Sequence, residues 1–200
     1  MNNLRRTILS LAFLAPGLGA GGIMPADKIT EPTPKRYSVC FDHSCASIVT
    51  DSLSQDEWRL VTAPLRNPAR TTAADERLAI ARSIAVFEDT VGRHTGTYLD
   101  RGRNLRGFGQ PGQLDCIDES TNTTTYLRLL EGGGLLRHHR VLERSTRFGL
   151  FVGMPHTTAV IEETVTGDRY AVDSWFLDNG RPPYIAKFKV WKAGGAPDDE

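Results

Sequence analysis

The sequence predicts an α+β fold, with N-terminal helices followed by an antiparallel sheet. Three observations carry this: apolar residues recur at helical spacing through the first two thirds of the chain, the period shortens after Gly132-Gly133-Gly134, and Thr166-Gly167-Asp168 joins two strand-like runs as a hairpin turn. Two hundred residues, 40% of them apolar, supply one ordinary core, so one domain is expected, from residue 37 to residue 193.

The elements follow in order. Arg5 and Arg6 precede an apolar run from Thr7 to Ala15 and a small-residue stretch at Gly17 to Ala20, the pattern of a secretory signal over residues 1–22. A membrane anchor needs about twenty uninterrupted apolar residues, and Pro16 with the following glycines breaks the run. Export to a periplasmic or secreted location is therefore expected, with no stable membrane insertion after cleavage. Residues 23–36, rich in Pro, Thr and Lys, read as an extended, mobile arm.

Ser54-Gln55-Asp56-Glu57 is a capping box, with Leu53 placed to staple against Trp58, and the short helix it starts should stop near Pro64. Thr72-Ala73-Ala74-Asp75 starts a longer helix whose apolar stripe is Ile80, Ile84, Phe87 and Val91, and Gly92 is expected to end it. The glycine-rich, basic stretch from Asp100 to Gly112 has no period and reads as a loop. Gly107, Gly109 and Gly112 match G-x-G-x-x-G, but no strand precedes them and no helix opens inside the motif, so a dinucleotide site is not expected. Arg101, Arg103 and Arg106 read as a solvated face.

The loop leads to Gln113-Leu114-Asp115-Cys116-Ile117-Asp118-Glu119. Asp115 is an N-cap that puts Cys116 in the first turn of a helix, where the dipole favours a thiolate, although Asp115, Asp118 and Glu119 oppose one. Threonines at 121, 123, 124 and 125 are poor helix formers, but Ile117, Ser120, Thr124, Leu127 and Leu130 keep helical offsets as far as the glycines. Strands are then expected at Arg140 to Leu142, Gly149 to Val152, Thr157 to Glu163, Arg169 to Asp173 and, as a charged edge strand, Tyr184 to Trp191. Residues 194–200 form a tail.

Three cysteines are an odd number. In an oxidising compartment Cys40 and Cys45 can close a small loop, stabilising by roughly 2 kcal/mol, and leave Cys116 as the thiol. The alternative pairs Cys116 with one of them. In the hairpin around Gly167 the start of one strand lies beside the end of the next, which delivers His156 and Asp173 to one end of the sheet. A thiol, an imidazole and an orienting carboxylate in that order are the parts of a thiol nucleophile. Gln110, six residues before Cys116, or the nearer Gln113, is a candidate donor to an oxyanion.

Asp115-Cys116-Ile117-Asp118, His156-Thr157-Thr158-Ala159-Val160-Ile161 and Tyr170-Ala171-Val172-Asp173-Ser174-Trp175 together resemble the transglutaminase-like superfamily, in particular bacterial transglutaminase-like cysteine peptidases. The likeness covers roughly residues 72 to 191, with Asp-Cys-Ile-Asp standing where many relatives have Gly-Asp-Cys-Glu-Asp. It implies a papain-like triad of Cys116 as nucleophile, His156 as base and then acid, and Asp173 as orienter. It also implies acyl chemistry on amide bonds through a thioester.

The expected partner is a peptide, protein or cell-wall peptide substrate. Lys plus Arg and Asp plus Glu number 24 each, so no excess positive field concentrates nucleic acid. No cofactor is expected, and a zinc site on Cys116, His138 and His139 is disfavoured because adjacent strand residues face opposite ways. The competing reading is a catalytically inactive secreted binding module that keeps the fold.

Overall fold

A computed structural model of the chain describes residues 29–68, 70–105, 107–148 and 155–198. The predicted signal segment, residues 23–28 of the arm, Arg106, the run from Gly149 to Val152 and the last two residues lie outside them. The described elements are four α-helices and two antiparallel sheets, the predicted α+β class.

The first sheet among the described residues is a hairpin that the sequence did not announce. Strands β1 (Tyr37–Phe41) and β2 (Ser47–Asp51) pair antiparallel, Tyr37 opposite Asp51 and Phe41 opposite Ser47. Its first four residues are all buried, so β1 shows no alternation to read. Residues 29–36 are also held where a mobile arm was expected. Thr33 and Arg36 exchange backbone hydrogen bonds of 2.9 Å, the Leu53 N–H donates to the Pro34 carbonyl at 2.7 Å, and the Ile29 N–H donates to Ser38 Oγ at 2.8 Å. Backbone pairing of this kind asks nothing of side-chain period.

Both capping boxes form. Helix α1 (Gln55–Thr62) starts at Ser54 with Glu57 reaching back, and Pro64 follows in a short 3-10 turn. Helix α2 (Ala73–Thr95) starts at Thr72 with Asp75, and its stripe of Ile80, Ile84, Phe87 and Val91 is fully buried. Gly92 does not end α2; Gly96 does, in the left-handed conformation at φ 83°. Gly92 is there for a close approach: a Cβ would meet the Tyr98 backbone nitrogen at 2.9 Å.

Near the end of α2, His94 donates from Nδ1 to Asp51 at 3.0 Å and from Nε2 to Glu57 at 2.9 Å, tying α2 to the hairpin and to α1. Burial works against a charged ring here, but hydrogen bonds and charge from Asp51 and Glu57 raise its pKa above the ordinary value. With the folded value raised, this stabilisation is full below about pH 6.5 and is lost as pH climbs through the folded pKa. The difference in urea midpoint between wild type and His94→Gln is therefore expected to shrink from pH 6 to pH 9; a constant difference would refute the ion-pair role.

Helix α3 (Cys116–Gly132) is buried nearly all round, which explains how four threonines sit in it. Thr124 and Thr125 return their hydroxyls to the Ser120 and Thr121 carbonyls, Asn122 brackets Cys40 by accepting from its N–H and donating to its carbonyl, both at 2.8 Å, and Thr123 meets Ser174 Oγ at 3.0 Å. Tertiary partners thus override local propensity. The helix ends in a Schellman arrangement, with Gly134 left-handed and the Leu135 N–H on the Leu130 carbonyl. Phe87 of α2 stacks on Tyr126 of α3 at 4.8 Å.

The second sheet runs β3-β4-β5-β6, from β3 (His139–Arg147), β4 (His156–Glu163), β5 (Arg169–Asp173) and β6 (Tyr184–Lys187). Strand β3 extends well past the predicted Leu142. The predicted strand from Tyr184 to Trp191 stops at Lys187 and turns into helix α4 (Phe188–Lys192). Alternating lysines read as an edge strand, but Trp191 is fully buried, and a helical turn is what swings it under β5.

Candidate active site

The site is assembled at the N-terminus of α3. Asp115 Oδ1 accepts the N–H groups of Ile117 and Asp118 at 2.9 Å each, and Asp118 Oδ2 accepts the Asp115 N–H at 3.3 Å. Cys116 is the first residue of the helix and half-buried; it is the thiol left over by the Cys40–Cys45 disulfide. Its own N–H makes no hydrogen bond among the described residues, so one donor of the first turn stays available.

The loop closed by the disulfide docks on this helix start. Asp42, His43, Ser44 and Cys45 all have positive φ, and the left-handed turn they form aims its N–H groups at two carboxylates. His43 and Cys45 donate to Asp118 at 2.8 and 2.6 Å, while Ser44 donates to Asp115 from its N–H at 2.9 Å and from its hydroxyl at 3.1 Å. Two of the three acids that oppose a thiolate in the sequence are thereby wrapped in donors. Burial raises the Asp118 carboxyl to about 6. Burial, reinforced by charge from Glu88 and Asp100, pushes the Glu119 carboxyl well above its ordinary value. The negative field around Cys116 is weaker than the letters suggest.

His156 opens β4, and β4 pairs with β5 with Ala159 opposite Val172 and Glu162 opposite Arg169, so Asp173 arrives at the same end. His156 Nε2 and Asp173 Oδ2 are 2.7 Å apart. The ring is 13% exposed and the carboxylate 2%. Trp175, Phe176 and Trp191 surround the imidazole at centroid distances of 4.8, 5.3 and 5.8 Å. Burial disfavours the charged ring, yet hydrogen bonding and charge from Asp173 and from the Cys116 thiol outweigh it and raise the pKa to about 9. With Nε2 committed to Asp173, Nδ1 is the nitrogen left for the sulfur.

Trp191 is the residue that sequence reasoning missed. Its indole Nε1–H donates to Asp173 Oδ2 at 2.6 Å, so this one oxygen holds both the indole and the imidazole. Arg147 braces it from behind, with its guanidinium 4.6 Å from the Trp191 ring centroid and Nη1 donating to the Trp191 and Gly195 carbonyls. No local signal marks Trp191, because its role depends on α4 folding back.

The two glutamine candidates differ in what their side chains do. Gln110 is exposed and its side chain makes no hydrogen bond among the described residues; its backbone closes the loop with Gly107 and Gln113. Gln113 is buried and engaged in its own loop, donating to the Leu99 carbonyl at 2.6 Å and accepting from Asn104 and from the Arg101 N–H. A loop without secondary structure needs such a strut, and the Gln113 amide serves as one. His139 also lies apart, its Nδ1 3.0 Å from Glu76. No group of side chains able to hold a metal occurs among the described residues, and no described helix is long and apolar enough to cross a membrane.

Compared with family models, with curated proteins and with solved structures, the chain matches none.

Proposed function

We propose that the protein is an exported thiol hydrolase or acyltransferase acting on peptide or amide bonds, in the manner of the transglutaminase-like cysteine peptidases it resembles. The observation that carries the reading is the His156–Asp173 pair at 2.7 Å, delivered by two adjacent strands, with the Cys116 thiol at a helix start close enough to help raise the imidazole's pKa. A disulfide beside the predicted signal segment supports an oxidising, extracytoplasmic setting.

The chemistry follows from the groups. The Cys116 sulfur, as thiolate, adds to the acyl carbon, and the oxyanion that forms is received by the Cys116 N–H at the positive end of α3. The His156 imidazolium gives its proton to the amine as the C–N bond breaks, leaving a thioester and a neutral ring. Water then gives a proton to His156 and adds to the thioester; the C–S bond breaks, the acid is released, and the Cys116 thiolate stands again beside the imidazolium. An amine in place of water gives acyl transfer. Asp173, itself held by Trp191, keeps the ring in place and supports its charge in both half-reactions.

Iodoacetamide tests this. It should label Cys116 rapidly at pH 7, and His156→Ala should slow the labelling by about a hundredfold, the scale on which a positioned acid or base acts. Slow labelling that ignores His156 would leave the catalytically inactive binding module as the reading.

A further inference from the structure

Arg144 lies beside the nucleophile with part of its guanidinium unused. Strand β3 carries a β-bulge: Leu142 pairs with Val160 and Ser145 with Thr158, so Glu143 and Arg144 together oppose Ala159 alone. Alternation would send these two side chains to opposite faces, but the bulge turns both toward α3. Glu143 reaches Arg128 of α3, and Arg144 Nη1 donates to the Ile117 carbonyl at 3.3 Å, Ser120 Oγ at 3.2 Å and Thr121 Oγ1 at 2.6 Å. Ser120 is one helical turn from Cys116 on the same face, so the guanidinium stands along the Cys116 side of the helix, close enough for the two to feel each other's charge.

All three acceptors are neutral. Among the described residues no carboxylate lies within ion-pair distance of Arg144, Glu143 is taken by Arg128, and Asp115 and Asp118 are occupied by the disulfide loop. The Nε–H and the Nη2 donors, the edge that matches a carboxylate with two parallel bonds, have no protein partner among the described residues. Arg144 is thus a half-buried cation hydrogen-bonded only to neutral groups, with Glu143 near enough to act on its charge but paired with Arg128.

Resting on the thiol-enzyme reading, we propose that the Nε/Nη2 edge of Arg144 binds a substrate carboxylate close to the bond attacked by Cys116, so that the substrates are acidic acyl compounds. The carboxylate belongs either to an acidic side chain or to a chain end, which share this chemistry.

Iodoacetate and iodoacetamide test the subsite without a known substrate. Both form a carbon–sulfur bond at Cys116 and expel iodide, and they differ by a carboxylate in place of an amide. The ratio of their labelling rates, internal to each protein, should fall by about tenfold in Arg144→Gln, the scale of a lost charge-assisted hydrogen bond. It should fall less in Arg144→Lys, which keeps the charge and loses the fork; if Arg144→Gln does not fold, the Lys variant decides alone. An unchanged ratio overturns the subsite. Protection of Cys116 by N-acetylglutamine identifies a chain-end carboxylate, and protection by N-acetylglutamate α-amide identifies a side-chain one. Protection by neither beyond the uncharged diamide overturns the proposal. Labelling by both reagents that is slow and indifferent to His156 is a different failure, that of the thiol-enzyme reading, and the subsite falls with it.

Discussion

Asp173→Asn is expected to move the titration midpoint of His156 from about 9 down toward 6.5 and to cut turnover by about three to four orders of magnitude. The carboxylate contributes charge and geometry together. Its Oδ2 accepts from both His156 and Trp191, and an amide oxygen in its place accepts without charge, while the amide nitrogen meets two donors and can satisfy neither. The sign is fixed by the direction of the shift. A histidine with a raised pKa keeps its proton, and so its capacity to protonate a leaving amine, until pH approaches about 9; without Asp173 that limb of the rate profile falls toward ordinary imidazole. The stability from the same pairing is full below pH 6.5 and is lost as pH rises through about 9. Proton NMR titration of the His156 ring in both proteins measures the midpoint directly, and an unmoved midpoint would remove Asp173 from the proposed triad.

The largest loss of stability is expected at Glu76, far from the site. Its carboxylate, fully buried in α2, accepts the N–H groups of Arg137, His138 and His139 at 2.8, 2.9 and 3.0 Å, and His139 Nδ1 at 3.0 Å, with Arg70 Nη1 at 3.5 Å. Burial pushes its pKa up, but the His139 side chain, the backbone donors and Arg70 overcome that and bring it down to about 2. Five groups, two of them able to carry charge, lose their acceptor in Glu76→Ala. Breaking a buried ion pair costs about 3–5 kcal/mol, a large share of the total for a domain of this size. Glu76→Gln keeps the volume and part of the hydrogen bonding and should lose less. Urea denaturation monitored by tryptophan fluorescence checks both, and a change under 1 kcal/mol in Glu76→Ala would contradict the role, since a surface carboxylate costs about that little.

What the letters disclosed divides by the length of chain an interaction spans. Capping boxes at Ser54 and Thr72 and the Asp115 cap need four consecutive residues, and all three helices start where those signals predict. The register that brings His156 beside Asp173 was legible because a short hairpin is a local object. Strand β1, buried on both faces, gave no period, and Gly92 gave the wrong helix end because its reason is a neighbouring turn of chain.

By itself the sequence determined the α+β class, the helix starts, the odd thiol and the order of sulfur, imidazole and carboxylate. Only the tertiary structure decided that Trp191 shares the Asp173 oxygen, that a bulge turns Arg144 along α3, that the disulfide loop covers Asp115 and Asp118, and that the Gln113 amide is committed to its own loop. These contacts join residues from 18 to 75 positions apart in most cases, where closure depends on the packing of whole elements. A pattern within one turn of helix or one hairpin carries no record of what will be folded against it.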